Sequence, residues 1–307
     1  MARVVVVTPN PAIDVTYRVE RQLVGETVRV QQVTRRAGGK GINVVRVLRA
    51  LGVESIAVQP LGGAAGEWMQ SELTSDGIVS VAVAAPGETR STVAVVDDLA
   101  HPTLYAEPGG PLDDRAWAGL VDAIGRHCEP GGFLVIAGSF PAATEPAQAA
   151  ALVRAGRDAG ATVVVDASGP SLMAAVDAGA QLVKPNEREL LDATGAATLD
   201  DAIDDVLARG VGTVVVSRGA SGLLLATSAG DRLTQAGVPG VSGNPTGAGD
   251  AATAGLVSAL AAGLGLADAV RRAAVVGACA VLSPVAGEID VTGLALLEAR
   301  LGAPSSD

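Results

Sequence analysis

Short apolar runs alternate along the chain with longer stretches in which apolar residues recur every three to four positions. The runs at 3–8, 55–60, 133–137, 162–166, 181–184 and 213–217 predict buried strands. Residues 41–51, 66–75, 113–127, 145–159, 200–208, 251–264 and 267–282 predict helices. Apolar strands separated by helices imply a mostly parallel sheet covered on both faces, a three-layer αβα arrangement. Two stretches, 15–35 and 88–106, alternate polar and apolar residues instead, and predict antiparallel strands outside the main sheet. Such a small sheet, inserted between the first strand and the first helix, reads as a lid. The tail 302–307 reads as disordered. With no internal repeat and no linker, 1–307 reads as one domain.

Composition narrows the chemistry. The 307 residues are 49% apolar and only 2% aromatic, so the core is aliphatic and base-stacking platforms are disfavoured. A net charge of −11 argues against nucleic-acid and anionic-membrane partners. Cys128 and Cys279 lack metal-ligand spacing and read as reduced thiols of a cytoplasmic protein. His101 and His127 are isolated, which disfavours a His-based metal site or a Ser-His-Asp hydrolase. The opening Met1-Ala2-Arg3-Val4-Val5-Val6-Val7 is too short for a signal peptide and reads as a strand. The apolar run from 251 to 266 contains glycines and is followed by Asp268 and Arg271, as in a core helix rather than a membrane span.

Two glycine-rich segments carry the candidate chemistry. In Asn244-Pro245-Thr246-Gly247-Ala248-Gly249-Asp250, small residues precede a helix, where free N–H groups and the macrodipole favour an anion. A carboxylate in that cradle makes sense if Asp250 takes a proton from a hydroxyl. The N–H groups of Gly247, Ala248 and Gly249 would then hold the charge building on a transferring phosphoryl group. The plainer alternative is a glycine-rich turn with an acidic first helical turn. The second segment, Ala37-Gly38-Gly39-Lys40-Gly41-Ile42-Asn43, also opens a helix, and Asn43 offers both a donor and an acceptor to sugar hydroxyls. It is not a Walker A loop. No dinucleotide fingerprint follows the first strand, which disfavours a dehydrogenase.

Together these segments resemble the signatures of the ribokinase-like carbohydrate kinases, the PfkB family. Residues 38–43 are similar to its N-terminal signature, and 244–250 with Ala254-Gly255-Leu256 to its C-terminal one. Lys184-Pro185-Asn186-Glu187-Arg188-Glu189 resembles the family's Asn-x-x-Glu element, and Ser217-Arg218-Gly219-Ala220-Ser221-Gly222 its nucleotide loop. The four segments occur in the family's order across the whole chain. Val45 and Arg218 depart from it, since smaller residues are usual at the first position and smaller or apolar ones at the second. The resemblance implies a ribokinase-like fold with a β-sheet lid, ATP as phosphoryl donor and Mg²⁺ as its counter-ion. It implies that Asp250 is the base, assisted by residues 247–249. It places Lys184, Asn186, Ser217, Gly219, Ser221, Gly222, Thr246, Gly247, Gly249 and Ser283 around ATP, and Glu189 with Asp166 on the metal.

Within the family, Thr8-Pro9-Asn10-Pro11-Ala12-Ile13-Asp14, Gly25-Glu26 with Arg29, Thr89-Arg90 and Ala137-Gly138-Ser139-Phe140-Pro141 resemble 1-phosphofructokinases and tagatose-6-phosphate kinases. Asp14 follows the first strand, at the ligand-binding edge of an open parallel sheet, where it can accept two sugar hydroxyls. Arg29 and Arg90 lie on the two lid stretches and are expected to converge on a substrate phosphate. The implied sugar-binding set is Asp14, Arg29, Gly38, Gly39, Lys40, Asn43, Arg90 and Ser139. The expected reaction converts fructose 1-phosphate to fructose 1,6-bisphosphate. Tagatose-6-phosphate kinase and 6-phosphofructokinase are alternatives, because Val28 stands where many 1-phosphofructokinases have Asn. Asp250, Gly247 and Gly249 disfavour a non-catalytic sensor. Apolar outward positions on the lid, among Val28, Val30, Val93 and Val95, predict a homodimer formed through it.

Overall fold

The structure, a computed structural model, describes residues 2–97, 102–283, 285–301 and 305–306. In chain order the first elements are β1 (Val4–Val7), β2 (Ala12–Arg18), β3 (Gln32–Gly38), α1 (Lys40–Ala50), β4 (Ser55–Leu61) and α2 (Gly63–Ser75). Next come β5 (Val79–Ala84), β6 (Ser91–Val96), β7 (Thr103–Ala106), α3 (Asp114–His127), β8 (Phe133–Ala137) and α4 (Pro146–Asp158). They are followed by β9 (Thr162–Asp166), α5 (Gly169–Asp177), β10 (Leu182–Val183), α6 (Glu187–Thr194), α7 (Leu199–Ala208) and β11 (Thr213–Ser217). The last are β12 (Leu223–Thr227), β13 (Arg232–Gln235), α8 (Ala248–Ala261), α9 (Leu266–Val281), α10 (Leu294–Arg300) and β14 (Ser305–Ser306).

The main sheet runs β14-β13-β12-β11-β10-β9-β8-β1-β4-β5. From β5 to β11 every neighbouring pair is parallel, and β12, β13 and β14 add antiparallel pairs at one edge. β1 lies in the interior of the sheet, with all four valines fully buried. Alternation sends Val4 and Val6 into one core layer with residues of α1, α8 and α9, and Val5 and Val7 into another with residues of α3, α4 and α5. Burying each valine contributes about 1.5–3 kcal/mol. Helix α8 is buried on nearly all sides. At Gly255 a Cβ would lie 2.9 Å from Val276 Cβ, so glycine lets α8 and α9 touch. Val45, the departure noted in α1, is buried at 1% exposure.

The second sheet, β3-β2-β6-β7, departs from expectation in two ways. β2 pairs with β6 in parallel, not antiparallel. The strands at its first stretch span 12–18 and 32–38, so Val28, Arg29 and Val30 sit in the connection between them. Residues 98–101, including His101, lie outside the described residues. Register sorts this sheet into two faces. Asp14, Arg36 and Thr92 share one; Val15, Arg35, Val93 and Tyr105 share the other, with Val33, Tyr17 and Val95 next along it.

Some elements went unread in the sequence. β5 is an edge strand whose apolar residues alternate with Ser and Ala; β12 and β13 form a hairpin around Ser228–Asp231 turn residues; α5 and α6 are only nine and eight residues long. The tail is corrected at Ser305–Ser306, which pair with Leu233 and Thr234 of β13. Among the described residues, no helix is long and apolar enough to cross a membrane.

Candidate active site

The strand order reverses around β1, and the C-terminal ends of the parallel strands there deliver the candidate residues to one edge. Thr8 and Asn10 follow β1, Ser139 follows β8, Asp166 ends β9, Lys184 and Asn186 follow β10, and Ser217 ends β11. Above them stand the start of α1, with Gly39 before it at φ 103°, and the start of α8.

At α8, Gly247 caps the helix in the left-handed region, φ 81°, which glycine adopts without strain. Ala248 N–H donates to Pro245 O, so it is unavailable to a ligand, contrary to expectation. The N–H groups of Gly247 and Gly249 have no backbone acceptor among the described residues. A Cβ at Gly249 would meet nothing within 4 Å, so the absence of a side chain there leaves open space beside those donors. Thr246 N–H donates to Asn244 Oδ1 at 3.0 Å, bracing the loop.

Asp250, in the first turn of α8, is 7% exposed, and its Oδ2 accepts from Asn43 Nδ2 at 2.8 Å. Burial, then the nearby Asp166 carboxylate, push Asp250 up to about 7, against the pull of Asn43, Lys40 and Lys184. A carboxyl poised near neutrality suits a general base. Asp166 goes the other way. Burial would raise it, but Lys184, Lys40 and a hydrogen bond from Thr253 outweigh that and hold it at about 2. Its Oδ2 sits 3.0 Å from Lys184 Nζ and 2.6 Å from Thr253 Oγ1, and its Oδ1 is 3.3 Å from Lys40 Nζ.

Lys184 is 2% exposed and committed to Asp166, so it offers no free ammonium to a triphosphate. Lys40 is the more accessible cation, its side chain 35% exposed, and it also contacts Glu189 Oε1 at 3.1 Å. Asp166 above all, then Glu189 and Asp250, raise the Lys40 ammonium above the usual lysine range despite burial. The Asn-x-x-Glu element forms a capping box: Asn186 Oδ1 accepts from Glu189 N–H at 2.8 Å, and Glu189 Oε2 from Asn186 N–H at 2.9 Å. The cap orients Glu189 and leaves its Oε1 turned to Lys40.

Asp14 lies on the small sheet's polar face. A Cβ at Gly38 would fall 2.0 Å from its Oδ2, so any larger residue would displace it. Burial raises the Asp14 pKa, opposed by Arg46, Arg90, Arg36 and a bond from Gly39 N–H. Arg29 is not among these cations. It is exposed, with no hydrogen bond or ion pair among the described residues, so the two lid arginines are not seen converging. Arg90 stands just before β6. Its NH2 donates to Asn10 O at 3.1 Å and lies 3.5 Å from Ser139 Oγ; its NH1 donates to Glu107 O at 2.6 Å; its Nε is buried without a partner. Asn10 Nδ2 also reaches Ser139 Oγ, at 3.3 Å.

The nucleotide loop is a short 3-10 turn over Gly219–Ser221, closed by Arg218 N–H to Gly222 O at 2.9 Å and tied to α6 by a bridge between Asn186 and Ser217. Ser283, past α9, donates its hydroxyl to Val285 O at 3.1 Å. Residues 285–290, just past it, brace the site. Gly287 packs on Asn43, Ala286 on Gly247, and Glu288 pairs with Arg36 of β3 at 2.8 Å.

Several of these contacts were not anticipated. Asn10 lies in a stretch already singled out, between two prolines just past β1. Thr253 sits one turn after Asp250, a spacing that could have flagged it. The roles of Arg36 and Glu288 leave no local signal.

Among the described residues no group of three or more His, Cys, Asp or Glu side chains is placed to hold a metal. Mg²⁺ needs fewer protein ligands, since one or two carboxylates with phosphates and waters complete its shell. Asp166 and Glu189, already sharing one cation, fit that donor set.

The model of the pfkB family carbohydrate kinases matches residues 1–291. Phosphofructokinase-2 from Escherichia coli, in complex with fructose-6-phosphate, is 28% identical and superposes with a TM-score of 0.89 over 98% of this chain and 99% of its own. The same enzyme is also described in a tetrameric inhibited form. The Thermotoga maritima protein named "Possible 1-phosphofructokinase" is 24% identical, covering 99% of each chain, with a TM-score of 0.86. Arabidopsis thaliana ribokinase complexed with ribose and ATP is 22% identical, covering 97% of this chain and 98% of its own, with a TM-score of 0.76. The match over nearly the whole length, on a ribokinase-like αβα fold, places the chain in the pfkB family of carbohydrate kinases, phosphotransferases that act on a sugar hydroxyl.

Proposed function

We propose that the chain transfers a phosphoryl group from ATP to a sugar phosphate, with fructose 1-phosphate to fructose 1,6-bisphosphate as the first reaction. The observation that carries this reading is Asp250, buried, near neutrality and held by Asn43 beside the open N–H groups of Gly247 and Gly249. Bound Mg²⁺–ATP would supply the phosphoryl group and offset its negative charge.

The sugar sits between the sheet edge and the lid. Asp14 accepts its hydroxyls, and Gly38, Gly39, Lys40 and Asn43 line its other side. Arg90, whose buried Nε lacks a partner, holds the substrate phosphate with Ser139. Asp250 takes the proton of the acceptor hydroxyl. The N–H groups of Gly247 and Gly249, with Lys40, meet the charge on the group in transfer. Thr246, Ser217, Gly219, Ser221 and Gly222 surround the phosphates and ribose, Ser283 lies toward the base, and Asp166 and Glu189 hold the metal.

The 28% identity to an enzyme crystallised with fructose-6-phosphate favours one second reading, 6-phosphofructokinase. The chain works in the cytoplasm as a homodimer, paired through the apolar face of the small sheet, where Val33 is 49% and Tyr105 62% exposed. ADP release measured with fructose 1-phosphate, fructose 6-phosphate, tagatose 6-phosphate and ribose tests the assignment. The fastest turnover per KM is expected on fructose 1-phosphate. A preference for ribose would overturn the phosphosugar reading.

A further inference from the structure

We propose that Lys40 is the resident cation of the metal site: in the nucleotide-free chain its ammonium fills the gap between Asp166 and Glu189 and keeps a divalent cation out until nucleotide arrives. This rests on the kinase reading above, in which those two carboxylates hold the metal. The geometry leaves one opening. Asp166 Oδ2 is taken by Lys184 and Thr253, and Glu189 Oε2 by its own helix cap. The oxygens that remain, Asp166 Oδ1 and Glu189 Oε1, come from β9 and α6, and the same Nζ lies 3.3 and 3.1 Å from them.

Lysine suits this post. Its flexible stem carries a compact charge that can withdraw. With its side chain 35% exposed, Lys40 has solvent to withdraw into, whereas Lys184 at 2% has none. A bare divalent cation must displace the ammonium against like-charge repulsion, with no phosphate to receive it. A metal arriving with a triphosphate brings that anion. The carboxylate pair is thus silent toward free metal and responsive to the metal–nucleotide complex.

Mn²⁺ titration of the nucleotide-free full-length chain, followed by electron paramagnetic resonance, tests this. The wild-type chain is expected to leave the free Mn²⁺ signal almost unchanged. Lys40→Met is expected to gain one Mn²⁺ per chain, at least about tenfold tighter than wild type. The gain should vanish in Lys40→Met with Glu189→Gln, and Lys40→Arg should behave as wild type. Tight Mn²⁺ binding by the wild-type chain that Glu189→Gln abolishes would overturn the proposal, as would a folded Lys40→Met with no gain. If circular dichroism shows Lys40→Met unfolded, Lys40→Gln takes its place under the same criteria. Failure of the kinase reading would show separately, as no ADP release with any sugar phosphate.

Discussion

The charge cluster beneath α8 and the small sheet over the sugar edge hold their polar groups in opposite ways. In the cluster, Asp166 and Lys184 are each 2% exposed, and every polar atom that Asp166 presents has a partner. In the small sheet, all four residues of β7 are exposed, and one apolar face looks outward. Low dielectric strengthens each interaction in the cluster and makes each loss costly. The sheet's outer strand is open to water, which suits recognition and closure. On the proposed reading, the chemistry is anchored to the interior and selection of the substrate to the periphery.

The sharpest way to break that contrast is at Asp250. Asp250→Asn is expected to lower kcat by on the order of 10²–10⁴-fold with the fold kept. Near-full turnover would remove Asp250 from the chemistry. Its pH dependence follows from burial first and Asp166 second, which hold it up at about 7. kcat/KM of the wild-type enzyme should therefore fall as pH drops below about 7. Stability has the opposite sign. A carboxyl whose folded pKa lies above its unfolded value contributes stability that is present below the unfolded pKa and lost as pH rises through the folded one. In the nucleotide-free chain, Asp250→Asn should raise the melting temperature at pH 8 by on the order of 5 °C, and by less at pH 5.

On the periphery the effects shrink. Arg90→Ala should raise KM for the phosphosugar by about 10- to 100-fold, the worth of one or two charge-assisted contacts, with KM for ATP little changed. Equal effects on both substrates would erase the division between the regions. Val33→Asp with Tyr105→Asp should convert a dimer of twice the 30.3 kDa chain mass to a monomer in light scattering. A wild-type mass near one chain would dispose of the lid pairing. The smallest change is expected from Glu288→Gln, which removes a half-exposed pair worth about 0.2–1 kcal/mol. KM for the sugar should then move by no more than about fivefold.

The two regions also differed in legibility. Apolar runs and helical spacing revealed β1, β4, β8, β9 and β11 because strands buried on both faces carry an unbroken signal. The small sheet was legible as antiparallel strands outside the main one, but the parallel pairing that joins its two halves was not. Its pairing depends on contacts between residues about 80 positions apart, such as Asp14 with Thr92, which local alternation does not encode. Asp250 and its glycines stand together in the chain and could be read directly. The bridging of Lys40 to Asp166 and Glu189 spans 126 and 149 positions and could not. Lys184 illustrates the same limit, for its place in a motif says nothing about which carboxylate captures it.

The position of β1 has a consequence for how the chain is made. It is made before both of its neighbours, for it lies between β4 and β8, whose partner residues begin at Ser55 and Phe133. The sheet's middle therefore cannot close until synthesis has passed β8, more than a hundred residues after β1. Until then an all-valine strand must wait without its native neighbours, which makes early folding slow and exposes the nascent chain to misassembly.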